Sequence, residues 1–168
     1  MKDLKPIRPN LYAVQYFFFL CIFFITSGCV HLVSYYDAIS YKNLTDLKGE
    51  IKVFFDRAVE DGAHGEADLN ILKDFKVKMS RAYEYEKGKT LNEDTIAQFA
   101  ILDSTLNDVL ERYKKRTWNS ENNCEDSPAT SPEKGCLTAT YCESKWKVLE
   151  TAFDIAITTE RSKLEKKN

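Results

Sequence analysis

Proline and glycine are scarce in this chain, four and six among 168 residues. With 43% hydrophobic residues and well-mixed charge, that scarcity argues against a disordered or low-complexity chain and for a helical one. No stretch alternates apolar and polar types long enough to argue for a strand. A surplus of positive charge is also missing: 24 basic against 26 acidic residues leave no footprint for nucleic-acid binding. Histidine occurs only at His31 and His64. No Glu-x-x-His pair recurs on two helices, as a di-iron bundle requires. There is no Cys-x-x-Cys-His for haem and no Walker loop. No serine beside a base and no carboxylate pair in a glycine-rich pocket marks a catalytic centre. No enzyme, cofactor or metal is therefore expected, and His64 beside Asp61 and Glu66 reads as an ordinary surface turn.

One long apolar run is present. Leu11 to Ile25 is broken only by Gln15, is preceded by Lys2, Lys5 and Arg8, and is followed by Thr26-Ser27-Gly28-Cys29. A charged n-region, an apolar h-region and small residues before a cut are the parts of a secretory signal. With its cysteine, the segment resembles the lipobox of bacterial lipoprotein precursors. The resemblance ends with this segment. It implies cleavage between Gly28 and Cys29, a diacylglyceryl group on the Cys29 sulfur, and a membrane anchor. Val30, where an aspartate would signal inner-membrane retention, implies the outer membrane, facing the periplasm. The alternative is an uncleaved signal anchor, although Leu11 to Ser27 falls short of the ~20 residues a spanning helix needs. In either case the chain beyond Cys29 faces outward. Loss of residues 1–28 takes Lys2, Lys5, Arg8 and Asp3 with it, moving the formal net charge from −2 to −4.

After a lipidated tether over 29–36, residues 37–168 hold four amphipathic stretches. The first, about 37–60, carries Leu44, Leu47, Ile51, Phe54 and Ala58 at alternating steps of three and four, one face of a helix. Asp37, alone or with Ser34, caps its start. Gly62 and Gly65 end it. The second, about 66–87, places Leu72, Phe75, Met79 and Ala82 on one stripe, with Glu66 and Asp68 in the first turn, Lys87 in the last, and Gly88 beyond. The third, about 91–116, opens with a Thr90–Glu93 capping box. Its stripe is Ile96, Phe99, Leu102, Leu106, Val109 or Leu110, and Tyr113. The fourth, about 140–166, repeats the capping-box spacing with Thr140 and Glu143, and its stripe is Trp146, Leu149, Phe153, Ala156 or Ile157, and Leu164. Short links between the first three make neighbours antiparallel, and the expected fold is an all-α antiparallel four-helix bundle. Phe54, Phe75, Phe99 and Phe153 are expected to lie in its core.

The long connection, residues 117–139, is rich in Asn, Ser, Glu and Pro. Cys124, Cys136 and Cys142 lie in or just after it, and in an oxidising compartment two of them are expected to pair. Cys124 with Cys142 would fasten the third helix to the fourth and ranks first. Cys124 with Cys136 follows closely, and Cys136 with Cys142 comes last. The spacings are too wide for a zinc site. Tyr35, Tyr36 and Tyr41 either cap the near end of the core, the preferred reading, or lie at the membrane interface.

The function these features imply is a lipid-anchored, periplasm-facing protein-interaction module with a protein partner. An immunity, exclusion or inhibitor role, or an accessory of an envelope machine, falls within that class. A structural or stress-related envelope lipoprotein is the alternative, and an enzyme or small-ligand carrier is the third. An eight-residue tether reaches at most ~28 Å. If the bundle stands upright, the 117–139 connection lies farthest from the lipid, and Lys163, Lys166 and Lys167 return towards the headgroups.

Overall fold

The computed structural model describes residues 34–119, 124–125 and 134–165; Cys29 and the lipobox, Lys166 and Lys167 lie outside the described residues. Four helices dominate: α1 (Ala38–Asp61), α2 (Gly65–Lys87), α3 (Glu93–Lys114) and α4 (Ala139–Glu165). They pack antiparallel, α1 chiefly against α4 and α2 chiefly against α3, with α3 also against α4. No helix among the described residues is long and apolar enough to cross a membrane.

Each helix buries a strict three-four stripe. In α1 it is Ser40, Leu44, Leu47, Ile51, Phe54 and Ala58, and in α2 Asp68, Leu72, Phe75, Met79, Ala82 and Glu86. In α3 it is Thr95, Phe99, Leu102, Leu106, Val109 and Tyr113. In α4 it is Leu149, Phe153, Ala156, Glu160 and Lys163. The four expected core phenylalanines are all inside: Phe99 and Phe153 are inaccessible, and Phe54 meets Phe75 edge-on at 5.8 Å. Three stripe residues depart from expectation, Trp146 among them, which is only half-buried against the core. Leu164 is exposed, because a stripe already at Phe153 and Ala156 reaches Glu160 and Lys163 next, one residue out of phase with it. Thr95 takes the inward position that Ile96 was expected to fill, leaving Ile96 half-buried.

The caps also differ in part. Asp37 caps α1 as expected, its Oδ1 accepting the Ile39 amide proton at 2.8 Å. Neither capping box forms. Asn92 occupies the N-cap of α3, and its side chain is committed elsewhere, as described below. At α4 the preceding residue, Thr138, supplies the cap, its hydroxyl accepting from the Tyr141 amide at 3.3 Å; Glu143 instead pairs with Lys147.

The described residues also form two-residue strands that no alternation predicts: β1 (Ala63–His64), β2 (Thr117–Trp118), β3 (Cys124–Glu125) and β4 (Cys136–Leu137). β1 pairs antiparallel with β4, and β2 with β3. Gly62 makes the first pairing possible. Its φ of 74° and ψ of −177° fall in a region essentially restricted to glycine. A Cβ there would stand 2.8 Å from the Leu137 carbonyl oxygen. The strands are too short to announce themselves by alternation. They are set by where α1 and α4 bring their ends.

Candidate functional site

Ser34, the start of α1, the α2–α3 turn and the end of α4 meet at one end of the bundle, where the buried stripes turn polar. Ser40, Glu86, Asn92, Glu160 and Lys163 are all buried there. Lys163 Nζ donates to Glu160 Oε2 at 2.6 Å and to Asn92 Oδ1 at 2.9 Å. Asn92 Nδ2 donates to Glu86 Oε2 at 2.7 Å and to the Glu86 carbonyl at 3.2 Å. The Ser40 hydroxyl donates to Glu86 Oε1, and Lys89 Nζ reaches both Glu86 oxygens at 3.0 and 3.1 Å. Lys89 also pairs with Asp37 at 2.7 Å. Each buried carboxylate therefore has its own ammonium, which is the condition for burying charge without a large penalty.

This network also fastens the segment before α1. The Ser34 amide donates to the Leu91 carbonyl at 2.6 Å, and its hydroxyl to Asn92 Oδ1 at 2.8 Å. The Asp37 amide donates to Glu160 Oε1 at 2.7 Å. The segment expected to serve as a tether is thus bonded to the bundle from Ser34 onward. Lys163, expected near headgroups, is committed to Glu160 and Asn92 instead. Tyr36 and Tyr41 are half-buried with ring centroids 6.2 Å apart, but Tyr35 is exposed and caps no core.

Burial opposes ionisation of Asp37, but hydrogen bonds from Lys89, Tyr85 and the Ile39 amide outweigh it and lower its pKa from 3.8 to about 2. Burial likewise works against the Lys89 ammonium, yet Asp37 and Glu86 hold its pKa above the ordinary value. A carboxylate with a depressed pKa contributes stability that is fully present above its unfolded value and is lost as pH falls through the folded one. Asp37→Asn keeps a competent cap. The variant is therefore expected to be less stable than the parent at neutral pH, with the gap closing as pH falls from about 4 to about 2. Urea denaturation at stepped pH measures it; a gap that stays constant into acid would show that the Asp37 charge is not involved.

The opposite end carries the described parts of the long connection. Cys124 and Cys136 form a disulfide with Cα atoms 5.8 Å apart, while Cys142 remains a free, buried thiol. The first-ranked pairing, Cys124 with Cys142, is thus replaced by the second. Cys136 and Cys142 are both wholly buried, but Cys142 sits on the first turn of α4, whereas Cys136 lies on β4 within reach of Cys124. Burial, with Asp68 adding to it, pushes the Cys142 thiol up to about 12, which makes it a poor nucleophile. The bridge ties the β2–β3 ladder to the β1–β4 ladder. Arg116 Nη2 adds a bond to the Cys124 carbonyl at 2.9 Å. Below them Tyr113 donates to the Gly65 carbonyl at 2.6 Å, and Asp68 pairs with Arg57 and accepts from the His64 amide at 2.8 Å.

The His64 ring stacks on Trp118 at 4.0 Å between centroids with 11° between planes. His64 therefore faces an indole, on the outside of this end. No group of three metal-ligating side chains occurs among the described residues. The chain has no match among protein families, characterised proteins or solved structures. Besides its two ends, the bundle has a further feature, the seam between α1 and α2. That seam holds an open cleft of about 430 Å³ with Asp46 and Glu50 on one wall and Lys78 and Arg81 on the other. Lys78 is already paired with Glu50 at 2.6 Å and with Asp74 at 2.9 Å.

Proposed function

We propose that this protein is a lipid-anchored, periplasm-facing protein-interaction module of the bacterial envelope, attached through Cys29 and probing outward with its disulfide-held end. The observation that carries the reading is polarity. Ser34, which follows the tether, is bonded at one end of the bundle. The bridge Cys124–Cys136 and the stack of exposed His64 on half-buried Trp118 stand at the other. An aromatic pair on a frame stapled by a disulfide has little conformational freedom to lose on binding, which favours recognition of a protein surface. The bundle axis is occupied by Leu44, Ile51, Phe55, Met79, Leu102 and Leu149, all inaccessible, which weighs against a ligand carrier using the interior. Immunity, exclusion, inhibition and service to an envelope machine all fit this class.

The test replaces residues 121–133 by a neutral linker of equal length that keeps Cys124, together with Trp118→Ala in the otherwise unaltered chain. In-cell crosslinking followed by identification of the captured protein is expected to lose that protein in both variants, with helical content and thermal stability close to the parent. Undiminished capture in both would assign the contact to the helical faces and reduce the connection to a link.

A further inference from the structure

At the tethered end the usual order of a water-soluble domain is inverted. Inside it are Ser40, Glu86, Asn92, Glu160 and Lys163, while Tyr35, Ile39, Leu91 and Leu164 are outside, exposed by 65, 53, 46 and 46%. These four belong to one rim. Ser34 is bonded to the Leu91 carbonyl, which sets Tyr35 beside Leu91. Ile39 lies in the first turn of α1, and the Lys163–Asn92 bond brings the last turn of α4, with Leu164, to the same edge. Among the described residues, the other large exposed apolar side chains, such as Val53, Val77 and Ile101, stand along the helix shafts, apart from Tyr85 in the last turn of α2, and none lies within a turn of the far end. Clustered apolar exposure at one end, rather than its mere presence, is what needs a partner.

We propose that this rim is a membrane-seating surface: Tyr35, Ile39, Leu91 and Leu164 rest in the interfacial layer of the leaflet that holds the Cys29 lipid. The inference rests on the lipid-anchored reading above. It is supported by chain length, because five residue steps from Cys29 to Ser34 span at most ~18 Å, less than the bundle is long at 1.5 Å per residue. The tether therefore holds this end, and not the other, against the headgroups. It is supported too by charge. Asp37 is matched by Lys89, and Glu86 and Glu160 are matched within the network, so none of these three carboxylates loses its counter-ion when the rim is seated, while exposed Glu93 and Asp94 stay in the headgroup water. A tyrosine and aliphatic side chains are the types that settle at that depth. Four seated contacts would fix the bundle upright and turn the His64–Trp118 end away from its own membrane.

The test uses the full, processed protein in vesicles of phosphatidylethanolamine and phosphatidylglycerol, spin-labelled at Leu91→Cys, at Leu164→Cys and, for comparison, at Val53→Cys. The parent is expected to take no label: Cys29 is consumed by lipid, Cys124 and Cys136 are joined, and Cys142 is buried. Labels at 91 and 164 are expected to be several-fold less accessible to a water-soluble nickel relaxer than the label at 53, and more accessible to oxygen. Uptake of label by the parent would reveal a free Cys29 thiol and overturn the anchor and the seating together. An unlabelled parent whose labels at 91 and 164 meet nickel as freely as that at 53 would overturn the seating alone. Labels shut off from both nickel and oxygen would mean that protein, a second copy or a partner, covers the rim, and would also overturn the seating.

Discussion

Replacing Lys163 with methionine is expected to destabilise the protein by about 3–5 kcal/mol, the range for removing one partner of a buried ion pair. The side chain is 3% exposed and its Glu160 partner 0%, so water cannot replace the lost ammonium. Methionine fills the space of the aliphatic stem but offers no donor. Glu160 would then keep only the Asp37 amide at 2.7 Å, and Asn92 Oδ1 would lose one of its two donors. Thermal unfolding followed by circular dichroism should register a fall of roughly 10–20 °C for a domain of this size. Lys163→Arg retains the charge and isolates the role of geometry. A loss below about 1 kcal/mol for Lys163→Met would show that water enters this end freely, because exposed pairs contribute no more than that.

An effect of equal size is expected at the middle of the bundle. Phe153→Ala and Phe99→Ala each remove a ring that is wholly inaccessible in the native state. The lost transfer energy plus the cavity left behind amounts to about 3–5 kcal/mol each. Val53→Ala is the matched control: its side chain is 72% exposed on α1, and surface substitutions of that kind change stability by about 0.5 kcal/mol or less. Urea titrations of the three variants check the phase of the helices directly. Comparable losses for Val53 and Phe153 would mean that the stripes have been assigned to the wrong faces.

Much of this architecture is legible in the chain. The three-four recurrence of Leu44, Leu47, Ile51, Phe54 and Ala58, and its counterparts in the other helices, decides which faces are buried, because an apolar stripe has to leave water. Short links decide that neighbours run antiparallel, because they leave no length for a crossover. Glycines at 62 and 65 mark the end of α1, both with positive φ. The polar layer was also within reach of the same arithmetic. Continuing each stripe past its last apolar residue lands on Ser40 in α1, Glu86 in α2, and Glu160 and Lys163 in α4. Hydrophobic patterning discards those positions because they are charged or polar, and Leu164, apolar but out of phase, then takes their place.

What the sequence could not decide is who meets whom at the two ends. A cap depends on which side chain is free to turn back on its own helix. Thr90 and Asn92 both qualify locally, and Asn92 takes the N-cap position while Glu86, Ser34 and Lys163, which come from three other segments, claim its amide. A disulfide depends on where two sulfurs are carried. Both Cys136 and Cys142 are wholly buried, but Cys142 is carried into the core by the first turn of α4, whereas the pairing with β1 holds Cys136 on β4 beside Cys124. The His64–Trp118 stack joins residues 54 positions apart through two ladders that no local pattern announces. Periodicity, composition and the signal-like leader are properties of the chain taken a few residues at a time, so the sequence by itself determines the helices, their buried faces and the expectation of an anchor. The polar lock on Ser34 and Asp37, the choice of bridge and the apolar rim arise only when helix ends converge, and those the tertiary structure alone decides.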